Sequence, residues 1–375
     1  MRFMLTGNKL RVGVIFGGRS GEHDVSLMSA RSVLNALDSQ KYEITQIGIT
    51  QDGAWIVGKN VLAVLSESSM EEHSSAALLP DPTRNGVFTI VPEQHGERLS
   101  LLTQLDVVFP VLHGSYGEDG ALQGVFEMAD IAYVGAGVLG SSVAMDKGVF
   151  KDVMRARNIP VLDSKSVLRK QIISNPENTL SICEQVAPYP LFVKPANLGS
   201  SVGITKCNNR SDLGEGLQEA ARYDRRVLVE RGINGREIEV SVLGNDDPEA
   251  SVPGEIIPAA EFYSYDAKYH DNHSELKIPA DIPLDIITLV QNYALQAYKA
   301  IDCAGMARVD FLLDKDTNQL YLNEINTIPG FTQISMYPKL WAATGKPYNE
   351  LLDNLIDLAI ERKADRDLTE RKFER

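Results

Sequence analysis

The sequence predicts a mixed α/β protein built from two or three domains. Its 375 residues are too many for one ordinary hydrophobic core, because domains average roughly 150 residues. The first third alternates β-rich runs with stretches of helical periodicity, an order that favours a parallel sheet covered by helices. Apolar residues make up 43% of the chain and charged residues 23%, which is typical of folded globular domains.

The first third has the pattern of a small Rossmann-like domain. Leu10 to Phe16 is β-rich, Gly17-Gly18 turns the chain, and Val25 to Leu37 carries apolar residues at helical spacing. Tyr42 to Ile49 and Asp106 to Leu112 are two further strand candidates. Gly-x-Gly-x-x-Gly is absent, so this unit lacks the dinucleotide-binding fingerprint.

The middle of the chain contains a segment that we expect to leave the first domain and lie on the surface, followed by a second folded unit. Ser66 to Asn85 is rich in Ser, Glu and Pro without clear periodicity, so we expect it on the surface. The second unit begins near Gly137, and Asp146 to Arg157 has a helical pattern that Asn158-Ile159-Pro160 stops. Strands broken by glycine turns are predicted within Pro188 to Lys206 and Arg226 to Leu243.

The last third combines a long helix with two strands. The helix is predicted from Leu284 to Ile301, and the strands from Ala307 to Leu313 and from Gln319 to Glu324. The charged end, Glu361 to Arg375, predicts a helix that frays and has no role in chemistry.

Charge and composition exclude several classes of function. The net charge of −14 argues against general nucleic-acid binding, which needs excess Lys and Arg to neutralise phosphates. No run of about 18 apolar residues predicts a membrane span, and the apolar run near the N-terminus is too short for a signal peptide. Cys183, Cys207 and Cys303 are too few and too far apart for a disulfide framework or a zinc site. We therefore expect a cytoplasmic protein with buried, reduced thiols.

Arg308, Asp310, Glu324 and Asn326 form the most informative pattern in the sequence. Side chains two apart on a strand share a face, so two adjacent strands could present a cation, two carboxylates and an amide together. Such oxygen ligands suit Mg²⁺, which binds one or two carboxylates plus water and nucleotide phosphates. A salt-bridged edge hairpin explains the same pattern, and spacing alone does not separate the two.

Two further segments could bind a nucleotide. Lys194 ends a predicted strand and precedes a loop of small residues, which could surround a phosphate with one cation and backbone N–H groups. The loop is not a Walker A motif, and a plain β-hairpin is the alternative. Glu230 ends an apolar strand and Glu237 follows a glycine turn, so they could bind adenine and ribose or be ordinary surface charges.

In order along the chain, these segments resemble the ATP-grasp superfamily and, within it, the D-alanine–D-alanine ligases. The resemblance spans about residues 10 to 360. It rests on Met145-Asp-Lys147 and on five motifs: Phe16-Gly-Gly-Arg-Ser-Gly-Glu22-His-Asp-Val-Ser26, His113-Gly-Ser-Tyr-Gly-Glu-Asp-Gly120, Val193-Lys-Pro-Ala-Asn-Leu-Gly-Ser-Ser-Val-Gly203, Tyr265-Asp-Ala-Lys268-Tyr269 and Asn323-Glu-Ile-Asn-Thr-Ile-Pro-Gly-Phe331.

The resemblance implies an α/β and α+β protein, with an ATP-grasp fold preceded by the Rossmann-like N-terminal domain. The implied domains are residues 1–138 for the N-terminal substrate domain, 139–230 for the central lobe and 231–375 for the C-terminal lobe. ATP would lie between the last two. The implied activity joins two D-alanine molecules through a D-alanyl phosphate for peptidoglycan precursor synthesis, releasing ADP and phosphate.

The resemblance also assigns roles to residues. Two Mg²⁺ ions, or Mn²⁺, would be held by Asp310, Glu324 and Asn326, with Glu324 bridging. The implied ATP ligands are Lys147, Lys194, Ser201, Glu230, Ile233, Glu237 and Lys268, and Ser200 would also cover the phosphates. Glu22 would bind the ammonium of the first D-alanine. Arg308 and the Gly330 N–H would stabilise the oxyanion of the second step.

The remaining implied roles concern substrate selection. His113 would lie near the first substrate and Ser335 near the carboxylate of the second. Tyr269 belongs to a loop that closes over the site and excludes water, and its pairing with Lys268 favours an amine as the nucleophile. Met336 follows Ser335 where relatives vary, so D-serine as a second substrate stays open.

Two other functions compete with this one. A different ATP-grasp carboxylate–amine ligase would share Lys147, Lys194 and the metal set, but has no reason to keep the motif around Glu22. A nucleotide-binding regulator without turnover would not need Arg308. The resemblance further implies small-molecule substrates, no membrane partner and a homodimer.

Overall fold

The computed structural model describes residues 9–67, 72–199, 202–257 and 275–370, and within them the chain forms three sheets. The mixed α/β fold expected from the sequence is confirmed. In the first sheet the strand order is β6-β5-β4-β3-β2-β1-β7-β8. Its strands are β1 (Leu10–Gly17), β2 (Tyr42–Ile49), β3 (Trp55–Gly58), β4 (His73–Leu78), β5 (Val87–Glu93), β6 (Gly96–Thr103), β7 (Val107–Val111) and β8 (Ala132–Tyr133).

The centre of the first sheet is parallel and apolar. Strand β1 pairs in parallel with β2 and β7, and β7 with β8. Val12, Val14 and Ile15 are fully buried, as expected for a strand covered on both faces. The helices of this region are α1 (His23–Ala36), α2 (Val61–Glu67), α3 (Ala121–Ala129) and α4 (Val138–Met145).

The turn after β1 requires glycine. Gly17 has a φ of +95°, and a Cβ there would lie 2.2 Å from the carbonyl oxygen of Ile49. This turn brings Glu22, the residue just before α1, and the start of α1 to the carboxyl end of the parallel strands.

The irregular surface excursion expected for Ser66 to Asn85 is wrong in part. Strand β4 lies inside it, and β3, β4, β5 and β6 extend the parallel sheet with antiparallel pairs. The polar start of β4, His73-Ser-Ser, is exposed and gives no alternation for sequence reasoning to detect.

The second sheet is antiparallel, with the order β11-β10-β12-β9. One face packs its buried residues, such as Val193 and Val229, against Leu213 and Leu217 of a helix. The strands and helices of this lobe are α5 (Lys147–Ala156), β9 (Ser164–Leu168), α6 (Arg169–Ser174), α7 (Pro176–Cys183), β10 (Leu191–Pro195), β11 (Thr205–Cys207), α8 (Arg210–Tyr223) and β12 (Arg226–Arg231).

The third sheet has the order β16-β15-β13-β17-β18, with β14 paired to β13. Val309, Phe311 and Ile325 belong to one buried cluster, which also contains Ala294 and Tyr298 of a helix. The elements of this lobe are β13 (Gly235–Gly244), β14 (Glu249–Ala250), β15 (Gly254–Ile257), β16 (Glu275–Lys277), α9 (Leu284–Ala300), β17 (Gly305–Asp314), β18 (Leu320–Asn326), α10 (Met336–Ala343) and α11 (Tyr348–Arg366).

The first part of the charged C-terminal segment, residues 361–366, belongs to a helix that packs against the N-terminal sheet, while residues 371–375 lie outside the described residues. Helix α11 continues to Arg366, and its buried leucines share a core with β1 and β7. Arg362 donates to the carbonyl oxygens of Gly135 and Tyr133 and lies over the Tyr133 ring, 4.3 Å from its centroid. The apolar face of α11 and this cation explain why the charged end is ordered up to Arg366.

The three cysteines are buried, as expected. Burial raises the pKa of the Cys183 thiol to about 11 and those of Cys207 and Cys303 to about 12. They therefore remain neutral thiols. Among the described residues, no helix is both long and apolar enough to cross a membrane.

Candidate functional site

One face of the third sheet carries a cross-strand array of polar side chains. In the register of β17 with β18, Arg308 lies opposite Asn326 and Asp310 opposite Glu324. On the other side of β17, Glu239 of β13 lies opposite Asp310. Directly opposed residues share a face, so the two strands do bring the four predicted side chains together.

Arg308 is the cation of this array. Its Nε and Nη2 donate to the two carboxylate oxygens of Asp310, both at 2.7 Å. Its Nε also lies 3.0 Å from Oε2 of Glu239. Burial opposes the charged form, but the two carboxylates outweigh it and raise the pKa of Arg308 well above its usual value. Among the described residues, these contacts use Nε and Nη2 and none uses Nη1.

The donor set of the array matches a hard cation. Asp310 and Glu324 supply carboxylate oxygens, while the amide nitrogen of Asn326 donates to Oδ2 of Asp310 at 2.9 Å and so orients its amide oxygen. Two carboxylates and one amide oxygen are ligands that suit Mg²⁺. No cluster of three or more His, Cys, Asp and Glu side chains able to hold a metal occurs in the part of the chain that the structure describes.

Lys147 joins the array from the first turn of α5. Its Nζ lies 3.8 Å from Oε2 of Glu324 and donates to the carbonyl oxygen of Leu198 at 2.8 Å. Its backbone N–H donates to the carbonyl oxygen of Ala196 at 2.8 Å. The same lysine therefore contacts both the polar sheet face and the loop that follows β10.

Lys194 belongs to a second, more buried charge cluster. Glu230 forms ion pairs with Lys194 through Oε2 and with Lys151 through Oε1. Burial disfavours ionisation of Glu230, but the two lysines lower its pKa to about 2. Glu230 is therefore ionised and bound to two lysines in this structure.

Glu22 lies where three segments converge. A Cβ on Gly114 would come 2.9 Å from its Oε2, and a Cβ on Gly199 would come 3.2 Å from its Oε1. Gly114 also has a φ of +75°, a conformation that glycine adopts at little cost. The glycines of two loops thus let their backbones approach this buried carboxylate.

His113 connects the N-terminal domain to the segment after β18. Its Nδ1 contacts the carbonyl oxygen of Ile328 at 2.8 Å, and its Nε2 contacts the Ser29 hydroxyl at 3.0 Å. Burial lowers the pKa of His113 to about 4, with a smaller contribution from the positive charge of Arg308. The imidazole is therefore neutral at physiological pH, and these contacts orient it.

Glu118 makes a parallel connection. It accepts hydrogen bonds from the backbone N–H of Gly114 at 2.7 Å and of Ile328 at 3.0 Å. Burial, and then the nearby Glu22 carboxylate, raise the pKa of Glu118 to about 8. Through these two hydrogen bonds, the Glu118 carboxyl group connects the loop after β7 to the loop after β18.

Charge interactions join these groups into one continuous region. The positive charge of Arg308 lowers the pKa of both His113 and Glu118. The negative charge of Glu324 raises the pKa of Arg308, and it also raises the pKa of Lys194. Those predicted phosphate, metal and first-substrate residues that the structure describes therefore lie close to one another, in one connected region.

Other predicted residues lie around this surface. Ile233 and Glu237 are half-buried, and Glu237 shares the face of Glu239 on β13. Gly330 follows β18, and a Cβ there would come 3.1 Å from Oγ of Ser335. Ser335 accepts the N–H of Thr332 at 3.1 Å, and an open depression of about 330 Å³ beside it is lined by residues 31, 32, 35 and 332–334.

Met336 packs among apolar side chains. Its side chain is buried in a small apolar cluster with Ile256 and Leu340, and its Sδ would be 3.2 Å from a Cβ on Gly254. A role in selecting the second substrate stays a prediction for this residue. Ser200, Ser201, Lys268 and Tyr269 lie outside the described residues, so their predicted roles are untested.

Three site residues were not predicted from sequence: Lys151, Glu118 and Glu239. Lys151 follows Lys147 by four residues, which is one helical turn, and this spacing indicates a shared helix face. Glu239 lies two residues after Glu237 on the same strand, so the sequence already indicates that the two side chains share a face. The polar motif around Glu118 gave no spacing signal that distinguishes a half-buried, hydrogen-bonded carboxyl from an exposed one.

Comparison with known proteins gives consistent matches along the chain. The family model D-ala D-ala ligase N-terminus matches residues 11–136, and D-ala D-ala ligase C-terminus matches residues 153–357. A D-alanine–D-alanine ligase of Heliobacterium modesticaldum is 50% identical over 365 residues, covering 97% of this chain and 98% of the relative.

Solved structures agree with these matches. The D-alanine–D-alanine ligase of Coxiella burnetii is 37% identical, with a TM-score of 0.79 over 96% of both chains. VanG D-Ala:D-Ser ligase of Enterococcus faecalis is 34% identical, with a TM-score of 0.83 over 94% of this chain and 100% of the other.

Proposed function

The chain belongs to the D-alanine–D-alanine ligase family, and from that premise we propose that it uses ATP to join two D-alanine molecules. The observation that carries the proposal is the array on β17 and β18. Asp310 lies opposite Glu324, whose carboxylate is 3.8 Å from the Lys147 ammonium, and Lys194 interacts electrostatically with the same glutamate. Carboxylates and lysines that face each other suit a magnesium-bound triphosphate.

In the first step, the carboxylate of one D-alanine attacks the γ-phosphate of ATP, giving D-alanyl phosphate and ADP. Glu22 would bind the ammonium of this D-alanine, since a buried carboxylate between two close backbone loops has a fixed position. Lys147 and Lys194 would contact the phosphates and offset the charge of the transferring group. Two magnesium ions held by Asp310, Glu324 and Asn326 would polarise the phosphate oxygens.

In the second step, the amine of another D-alanine attacks the carbonyl carbon of D-alanyl phosphate and phosphate leaves. Negative charge develops on the carbonyl oxygen. Arg308 would stabilise it through Nη1, because Asp310 and Glu239 fix Nε and Nη2 and no residue in the described part of the chain contacts Nη1. The Gly330 N–H would donate from the opposite side, and Ser335 would contact the carboxylate of the second substrate.

The setting of this reaction follows from its chemistry. A ligase that consumes ATP works where ATP is made, so we propose a cytoplasmic enzyme that supplies a dipeptide for the cell wall. We also propose a homodimer, as the family resemblance implies. Light scattering of the purified chain tests the oligomeric state, and a monomeric mass would contradict it.

Phosphate release tests the reaction. The protein with ATP and Mg²⁺ should release phosphate with D-alanine and very little with L-alanine. Mass spectrometry should then detect D-alanyl-D-alanine. Equal rates with both enantiomers would refute the stereochemical assignment, and no release with any amino acid would favour a nucleotide-binding regulator.

D-serine is the second candidate for the second substrate, because the similar structure of Enterococcus faecalis is a D-Ala:D-Ser ligase. A competition with equal D-alanine and D-serine separates the two activities. We expect D-alanyl-D-alanine as the main product, and a majority of D-alanyl-D-serine would overturn the choice of second substrate.

A further inference from the structure

The charge cluster formed by Lys151, Glu230 and Lys194 contains a cation that no step of the proposed reaction uses. Lys151 is 1% exposed and Glu230 is 2% exposed, so both charges are inside the protein. Buried charges of this kind occur when they are paired, because removal from water is costly. The cluster lies where α5 meets β10 and β12.

The geometry explains how the three residues meet. Glu230 on β12 lies opposite Phe192 of β10, and Lys194 is two residues further along β10 on the same face. Lys151 is one helical turn after Lys147 on α5, so the helix directs both ammonium groups towards one side. Lys147 reaches Glu324, whereas Lys151 reaches Glu230.

Each oxygen of Glu230 has a different lysine. Oε1 pairs with Lys151 and Oε2 pairs with Lys194. With one carboxylate and two ammonium groups, the net charge of the cluster is about +1. Without Lys151, Glu230 would neutralise Lys194 and the net charge would be about zero. Burial, and then repulsion from Lys194, lower the pKa of Lys151, but its pairing with Glu230 favours the charged form.

We propose that Lys151 is a positioning residue for nucleotide binding: it binds one oxygen of Glu230, so that the charge of Lys194 remains available to the phosphates of ATP. This inference rests on the proposed function, in which Lys194 contacts those phosphates. Lys151 acts through Glu230 and does not itself touch the nucleotide.

The test measures binding of two probes, Mg²⁺-ADP and inorganic tripolyphosphate, by calorimetry. Lys151→Met should weaken the binding of both by about tenfold, since it removes one partner of a buried ion pair. The control is Lys170→Met, the same change at an exposed lysine of α6. With ATP saturating, the KM for D-alanine should change by less than about twofold in either variant.

A second variant separates positioning from a general loss of structure. Adding Glu230→Gln to Lys151→Met returns the net charge to about +1, because Lys194 is no longer neutralised. The double variant should therefore bind tripolyphosphate within about threefold of the wild type, tighter than Lys151→Met alone. A structural role for Lys151 predicts the opposite order, since the second change would add to the damage.

Each outcome decides one question. If Lys151→Met binds both probes as tightly as the control, the inference is wrong while the nucleotide site stands. If the wild type binds neither probe, the proposed nucleotide site itself is wrong. If Lys151→Met does not fold, the double variant still decides, because tripolyphosphate binding about tenfold weaker than in the wild type overturns the inference.

Discussion

Replacing Glu118 by Gln should change how the stability of the protein depends on pH. The carboxyl accepts the N–H groups of Gly114 and Ile328 and lies near the Glu22 carboxylate. Burial and Glu22 raise its pKa from 4.5 to about 8, so the folded state favours the protonated form. A glutamine has similar shape and no charge at any pH, but its amide nitrogen cannot accept one of the two N–H groups, so the variant also loses a constant amount of stability at every pH.

The sign and size of the effect follow from proton linkage. Stability from a raised pKa is fully present below pH 4.5, and it is lost as pH rises towards 8. Each pKa unit corresponds to about 1.4 kcal/mol, which sets an upper bound of about 5 kcal/mol for the whole interval. Because part of the shift comes from the charge of Glu22, we expect less than the full interval, roughly 2 kcal/mol, to depend on Glu118.

Thermal unfolding at about pH 5 and about pH 8 measures this difference. Relative to the wild type, the midpoint of Glu118→Gln should rise by a few degrees between the lower and the upper pH, on top of a constant offset from the lost hydrogen bond. Glu215→Gln, a change at an exposed position of α8, is the control and should follow the wild type. Identical pH dependence in all three proteins would refute the raised pKa of Glu118.

Three other predictions follow from the site and the fold. Glu324→Ala should lower the turnover number by at least about a hundredfold while exposed Glu249→Ala has no effect, and near-normal phosphate release would remove the metal assignment. His113, with a pKa of about 4, contributes stability that is present above pH 6.5 and lost as pH falls through 4. Its ring NMR signals should therefore not titrate between about pH 5.5 and 8, and a midpoint near 6.5 would contradict its burial. Arg362→Met should lower the melting temperature by a few degrees with unchanged kcat, because its carbonyl partners hold α11 on the N-terminal sheet, and an unchanged melting temperature would contradict that role.

The sequence predicted the elements with strong periodicity. Strand β2 begins and ends where the pattern indicated, at Tyr42 and Ile49, because its residues are mostly apolar and turns flank it. The alternation around Asp310 and Glu324 predicted a two-faced sheet, and the structure has one apolar and one polar face there. Period-two spacing fixes which side chains share a face, so this part of the candidate site was accessible from sequence.

Interactions between distant segments were not accessible in the same way. The polar start of β4 gave no alternation, because its first three residues are exposed and therefore need not be apolar. The pairing of Lys151 with Glu230 depends on how α5 packs against β12, which no local pattern encodes. The docking of α11 likewise joins Arg362 to carbonyl groups more than 200 positions away.

The same limit applies to the roles of the site residues. Spacing favoured neither a magnesium site nor a salt-bridged hairpin around Asp310, and the structure has elements of both, since Arg308 pairs with Asp310 beside Glu324. The resemblance to a known family, not the spacing, favours the magnesium site. The position of a bound nucleotide is the quantity that decides between them.

A crystal structure with ADP, Mg²⁺ and a phosphorylated D-alanine analogue tests the central claim most directly. We expect magnesium between the phosphates and the Asp310, Glu324 and Asn326 side chains, with the Lys147 and Lys194 ammonium groups on the opposite side of the phosphates. A nucleotide bound elsewhere, or magnesium with none of these three side chains as ligands, would contradict the account.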